Sequence, residues 1–142
     1  MILATLDTNV LASGALDTRS AVAQVIEAWF RAEFVAVLSP YILGELDSAL
    51  MKPYFARRLR AESIARYIAL VRQFAREVPV TDSFPKVASH PEDDRVLATA
   101  VNGMVDYLVT GDKGLQVLGK CQEVTVLSPR EFLRVLIGQS LR

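Results

Sequence analysis

Histidine and cysteine are almost missing from this chain: His90 and Cys121 are the only ones in 142 residues. One cysteine excludes an intramolecular disulfide and suits a reducing cytosol, so a cytoplasmic location is expected. The two residues together cannot build a nitrogen- or sulfur-ligated zinc site. A Ser-His-Asp or Cys-His nucleophile set would have to use the single histidine. There is no glycine-rich loop ending in Lys-Ser or Lys-Thr to cradle a phosphate. No apolar run approaches the roughly 18 residues of a membrane span. The N-terminus lacks the basic region, apolar segment and small-residue cleavage site of a signal peptide. An excess charge of one sign is missing too, because Lys plus Arg and Asp plus Glu number 16 each.

Apolar residues, in contrast, are abundant. They make up 51% of the chain, and the mean hydropathy is +0.27. That fits a sheet covered on both faces, or an apolar surface that receives a partner, such as a second copy in a homodimer. The length suits one domain over residues 1–142 with a real core. The neutral total also hides a division of charge. Lys52, Arg57, Arg58, Arg60, Arg66, Arg72 and Arg76 surround a single acid, Glu62. Glu92, Asp93, Asp94, Asp106 and Asp112 surround a single base, Arg95. These runs read either as solvated helical faces or as a phosphate-binding flank beside a metal-binding pocket.

The pattern of elements begins with Ile2–Leu6, an apolar run closed by Asp7, which predicts a buried strand ending in an acid. Val10–Thr18 reads as a loop or partial turn. Thr18 or Ser20 can cap a helix over Ala21–Ala32, whose Val22, Val25, Ile26, Trp29 and Phe30 form one stripe. Phe34–Leu38 is a second strand. Ser39-Pro40 opens a helix to about Met51. The basic segment from Pro53 leads into an amphipathic helix ending near Arg76, with Ile64, Ile68, Val71 and Phe74 or Ala75 inward. Glu77–Val80 is a short strand and Ser83–Pro91 is irregular. Pro91 starts a helix to Asn102, with Gly103 as its stop. Tyr107–Thr110 is a strand, Lys113–Leu118 a short helix and Val124–Leu127 a further strand. Ser128-Pro129-Arg130-Glu131 is a capping box that starts a final helix to about Ile137. Strands alternating with helices imply a three-layer α/β/α sandwich with a central parallel sheet.

In such a sheet every strand's carboxyl end, and the start of every following helix, lies on one edge. Asp7, Glu45, Asp94 and Asp112 therefore share a rim, although they are far apart in sequence. Taken singly, each has an ordinary reading as a strand end, a solvated helix acid or a cap. Taken together they would repel one another and raise one another's pKa, a cost that a divalent cation removes. All-oxygen ligands suit Mg²⁺ or Mn²⁺, ions that activate water and neutralise charge in phosphodiester cleavage. His90 reads as a loop or helix-entry residue, and Trp29 and Phe30 as core.

LDTNVL, SPYILGEL, HPEDDRVLATAV, DYLVTGDKGL and VLSPREFL, in that order, resemble the PIN (PilT N-terminal) domain, and within it toxin components related to VapC-type toxins. The resemblance covers nearly the whole chain. It implies a metal-dependent endoribonuclease whose acids fall on Asp7, Glu45, Asp94 and Asp112, with Thr8, Asn9, Asp93 and Thr110 as polar neighbours. Asp94 is preferred to Asp93 because it stands three and four residues before Leu97 and Ala98, on the inward helix face. The resemblance further implies single-stranded RNA as substrate, products carrying a 5′-phosphate and a cognate antitoxin that blocks the site. Lys52, Arg57, Arg58 and Arg60 are the residues expected to hold the RNA. Two alternatives compete: a module that binds RNA or a partner without cutting, and a phosphatase with Asp7 as nucleophile. The second needs another aspartate two positions on, where this chain has Asn9.

Overall fold

A computed structural model describes residues 1–16, 19–80 and 91–140. Its elements run in the order β1 (Leu3–Leu6), α1 (Thr8–Gly14), α2 (Ala21–Phe30), β2 (Val35–Leu38), α3 (Pro40–Leu50), α4 (Pro53–Ala56), α5 (Ala61–Phe74), β3 (Arg76–Glu77), α6 (Pro91–Asn102), β4 (Tyr107–Val109), α7 (Lys113–Leu118), β5 (Lys120–Cys121), β6 (Val124–Leu127) and α8 (Pro129–Ser140). The strands form one sheet of order β3-β2-β1-β4-β6-β5. All neighbours pair parallel except β5 and β6, which pair antiparallel. The expected parallel sheet is thus a mixed one, with an antiparallel edge contributed by a strand of two residues.

The centre of the sheet carries the core. Ala4, Leu6, Ala36, Val37, Leu38, Leu108 and Val109 have almost no exposed surface. Helices pack around this sheet: α2 meets α8, while α3 meets α1, α5 and α6. Phe34 and Phe132 meet edge to face at 4.9 Å beneath the α8 side. Buried hydroxyls find partners inside. Thr5 Oγ1 donates to the carbonyl of Val37 at 2.8 Å. Ser39 caps α3 through the Ile42 N–H and accepts from Thr99 Oγ1 at 2.8 Å, tying α3 to α6.

Several expectations change. Val10–Gly14 is helical, not a loop, because Asp7 is both the last residue of the strand run and the cap of α1. The chain goes from strand to helix in one residue, and Val10, Leu11 and Ala12 are buried by it. Ser20 caps α2; Thr18, the other candidate, and the segment 83–90 with His90 lie outside the described residues. The basic segment forms its own turn, α4, before the amphipathic helix α5. Only Val71 of α5 is fully buried, and Phe74 is 39% exposed while it stacks on Phe30 at 5.2 Å. The strand expected at Glu77–Val80 is instead Arg76–Glu77. The capping box is present as expected: Ser128 and Glu131 exchange hydrogen bonds of 2.9 and 3.1 Å. Among the described residues no helix is long and apolar enough to cross a membrane.

Strand order gives the position of a ligand site. The chain leaves β1 toward β2 on one side, whereas it leaves β4 toward β6 on the other. The carboxyl ends of β1 and β4 therefore flank the point where the topology reverses, which is where open α/β sheets bind ligands.

Candidate active site

Asp7 stands at that point and is 6% exposed. Its backbone N–H donates to the carbonyl of Val109 at 2.9 Å, which fixes it against β4. Its Oδ1 accepts from the Thr8 N–H at 2.7 Å. Its Oδ2 accepts from Thr110 Oγ1 at 2.8 Å and from Asn9 Nδ2 at 3.3 Å. Thr110 is fully buried and does two things at once. Besides donating to Asp7, its Oγ1 accepts from the Asp112 N–H at 3.0 Å. Asn9 closes the ring from the other side, accepting the Gly111 N–H at 3.0 Å. Gln116 donates to the Thr110 carbonyl at 2.7 Å. Asp112 caps α7, its Oδ1 accepting the Gly114 N–H at 2.8 Å.

This network holds a carboxyl group where charge is costly. Burial pushes the Asp7 carboxyl above its ordinary value of 3.8, the hydrogen bonds from Thr110 and Thr8 pull it back, and the negative charges of Asp93 and Asp112 push it up again. Among the described residues no salt bridge reaches Asp7 or Asp112. The crevice thus combines a desolvated carboxylate with two acidic neighbours from separate elements.

The acids named from sequence lie in different surroundings. Asp94 is 9% exposed, so it does lie on the inward face. Its charge, however, acts on Cys121, where it adds to burial in pushing the thiol up. The α6 acid whose charge acts on Asp7 is Asp93, which the sequence alone leaves at the rim. Glu45 is exposed on α3 and lines an open cleft of about 350 Å³ with Thr8, Asn9, Ala12, Ser13, Ser48, Ala49, Lys52 and Phe55. Thr8 and Asn9, the two residues that follow Asp7, line the same cleft. Lys52 also faces this cleft. Arg57, Arg58 and Arg60 are exposed in the segment that follows α4. Gln116 and Phe55 do not stand out in the sequence. The signal for Phe55 is its place beside a basic run; Gln116 carries none, since its role depends on the turn of α7.

The donor set bears on the expected cation. Asp7, Asp93, Asp112 and Glu45 offer only oxygen, which fits Mg²⁺ or Mn²⁺ and does not fit a sulfur-seeking metal. Among the described residues no three Asp, Glu, His or Cys side chains close around one point as a ready-made cage. The fit therefore rests on donor chemistry and on Asp7, which hydrogen bonds hold but no salt bridge among the described residues reaches.

An acidic crevice at the reversal point of a mostly parallel α/β sheet defines the class: an α/β protein with a carboxylate-lined site at its strand ends. The family follows. A model described as the PIN domain matches residues 4–114, and the chain belongs to that family. Its fold is similar to that of VapBC2 from Rickettsia felis bound to a DNA fragment from their promoter, at 10% identity and a TM-score of 0.62, covering 89% of this chain and 98% of that one. It is also similar to VapC20 from Mycobacterium tuberculosis, a sarcin-ricin loop cleaving toxin, at 18% identity and a TM-score of 0.57, covering 86% and 98%. FitAB bound to an IR36 DNA fragment matches at 19% identity and a TM-score of 0.54, covering 89% and 94%. At these identities the likeness is one of fold. No curated protein matches the chain by sequence.

Proposed function

We propose that the chain is a divalent-cation-dependent endoribonuclease of the PIN type and the toxin of a toxin–antitoxin pair. The observation that carries this reading is Asp7: a buried carboxylate, raised by its surroundings, flanked by the charges of Asp93 and Asp112 and reached by no salt bridge among the described residues. Asp7, Asp93 and Asp112 would hold Mg²⁺ or Mn²⁺, with Glu45 approaching from the cleft side and Asp94 as the neighbouring acid. The ion would supply a water of lowered pKa and neutralise charge on the phosphate. The protein's own groups do the rest. Thr110 and Asn9 fix the Asp7 carboxylate so that it does not reorient as charge develops. Lys52, Arg57, Arg58 and Arg60 supply the phosphate grip beside the cleft.

Asn9 weighs against the phosphatase reading. Its side chain is a strut, donating to Asp7 and accepting from Gly111, and an amide cannot serve as the required acid–base. The likeness to VapBC2 and FitAB supports an antitoxin partner, and exposed Met104, Val117 and Ile137 support a second copy.

The experiment is incubation of the purified protein with a mixed single-stranded RNA pool and Mn²⁺. Cleavage lost on chelation and in Asp7→Asn is expected. RNA binding without any cleavage would favour the non-catalytic module.

A further inference from the structure

The cleft beside Asp7 has a composition unlike that of the acidic crevice it adjoins. Helix α1 contributes Thr8, Asn9, Ala12 and Ser13, α3 contributes Glu45, Ser48 and Ala49, and Lys52 and Phe55 complete the lining, so polar, apolar and cationic groups are mixed. Next to Phe55 stands Tyr54, its ring centroid 5.1 Å away and tilted at 77°. Tyr54 is 55% exposed, a large aromatic surface left in water. The guanidinium of Arg58 lies 3.9 Å over the Tyr54 ring and is pinned there, its Nη1 donating to the Tyr54 carbonyl at 2.7 Å. None of Lys52, Arg57, Arg58 and Arg60 forms a salt bridge with another described residue. Arg31 and Arg72, in contrast, are each paired with an acid.

Two physical arguments meet here. Cations without acid partners at a surface are suited to phosphates, and they release counterions when they bind them. Exposed aromatic faces beside such cations suit stacked bases, because every base has a π-face that can stack on a ring or a guanidinium. A protein interface would favour an apolar centre with its charges at the edge, whereas here the charges are interleaved with the rings. A cleft of about 350 Å³ is in the size range of small-molecule sites and opens directly onto Thr8 and Asn9, which adjoin Asp7.

We infer that this cleft, with Phe55 in its wall and the Arg58–Tyr54 stack beside it, is a base-binding subsite for single-stranded RNA. It holds one nucleotide next to the phosphate presented to Asp7. The base lies against Phe55 or Tyr54, Lys52 meets the adjoining phosphate, and the Ser13 and Ser48 hydroxyls face the sugar, where a 2′-hydroxyl has a partner. The assignment rests on the nuclease reading of the neighbouring crevice, but its test does not need cleavage.

The test uses the full chain, a chelator and a short single-stranded oligoribonucleotide carrying 2-aminopurine. Affinity is read by anisotropy and stacking by quenching of the 2-aminopurine fluorescence. Tyr54→Ala and Phe55→Ala are each expected to weaken binding roughly 5- to 100-fold, the range spanned by one base–aromatic stack, and to relieve quenching. Tyr54→Phe and Phe55→Tyr should restore both, which separates stacking from a folding defect. Circular dichroism melts identify any alanine variant that has not folded, and Tyr54, being exposed, is the variant that should melt as the original does. Affinity unchanged in folded Tyr54→Ala and in the Phe55 variants would overturn the inference, as would an original chain that binds no oligonucleotide. A Tyr54→Ala chain that loses self-association but keeps its RNA affinity would overturn it too, making the surface a protein interface. Cleavage on adding Mn²⁺ is scored separately. Binding through Tyr54 and Phe55 without cleavage sinks the nuclease reading alone, and cleavage without aromatic dependence sinks the subsite alone.

Discussion

The crevice at the ends of β1 and β4 and the α4–α5 segment handle charge in opposite ways. In the crevice, Asp7 and Thr110 are buried and their side-chain oxygens are all engaged: two N–H groups, one amide and one hydroxyl tie them in place. In α4–α5 only Val71 is fully buried, and the arginines stand in solvent. One region is rigid because a desolvated carboxylate left unpartnered would be costly. The other can be exposed because solvated cations cost little and are screened by salt. Under the proposed function the difference is a division of labour, in which the sheet fixes the crevice carboxylates and the surface helix offers cations to a flexible strand.

The sharpest way to break this comparison is to change the crevice acids. Asp7→Asn and Asp93→Asn are expected to reduce Mn²⁺-dependent RNA cleavage by at least ~100-fold, since even groups that merely orient metal ligands cost 10–100-fold. Asp94→Asn should lose less per folded molecule if Asp93 is the α6 ligand, since Asp93 is the α6 acid whose charge raises Asp7. Equal loss in both α6 variants, measured as initial rates, would dissolve the distinction between them.

Thr110→Val comes next. It keeps the shape but removes the hydroxyl that holds Asp7 and receives the Asp112 N–H. A cost of about 1–3 kcal/mol in denaturant unfolding is expected, with cleavage down by roughly 10–100-fold. A smaller effect would come from pH. The folded Asp7 carboxyl is raised above 3.8. Between that value and its folded one, the native state therefore binds more protons than the unfolded state. Stability must then fall as pH rises through that window in the absence of divalent cation. Melting temperatures from pH 4 upward should show this slope, and Asp7→Asn should flatten it. A slope of the opposite sign assigned to Asp7 would contradict the burial argument. Smallest of all are single changes in the basic segment. Lys52→Ala or Arg57→Ala should weaken RNA binding uniformly across sequences and reduce the log–log salt slope by roughly 0.7 for each phosphate no longer neutralised.

The same contrast explains what could be read from the sequence. Asp7 was legible because an acid closing a buried apolar strand has few other places to be, and Asp112 because Thr-Gly-Asp follows a strand of the same kind. The helix pattern around Ser39, Pro91 and Ser128 was legible from caps and prolines, and Lys113–Leu118 and Val124–Leu127 fall where expected. Helix α1 was not, because its cap is the strand's own terminal acid and a seven-residue helix has little room for periodicity. Strand β5 was not, because two residues carry no alternation. Asp93 and Asp94 are hard to tell apart from sequence for a geometric reason. Adjacent helix positions diverge by about 100°, and facing inward in a helix does not mean facing the rim. Phe55 was hidden among arginines whose charge drew attention from its ring.

The proposed function turns on whether Asp7, Asp93 and Asp112 would together hold a cation. Calorimetric titration of Mn²⁺ into the original chain, beside Asp7→Asn, Asp93→Asn and Asp94→Asn, tests it most directly. Saturable binding in the original and in Asp94→Asn, lost in the other two, is the predicted result. No saturable heat in the original, or loss in Asp94→Asn with retention in Asp93→Asn, would contradict it.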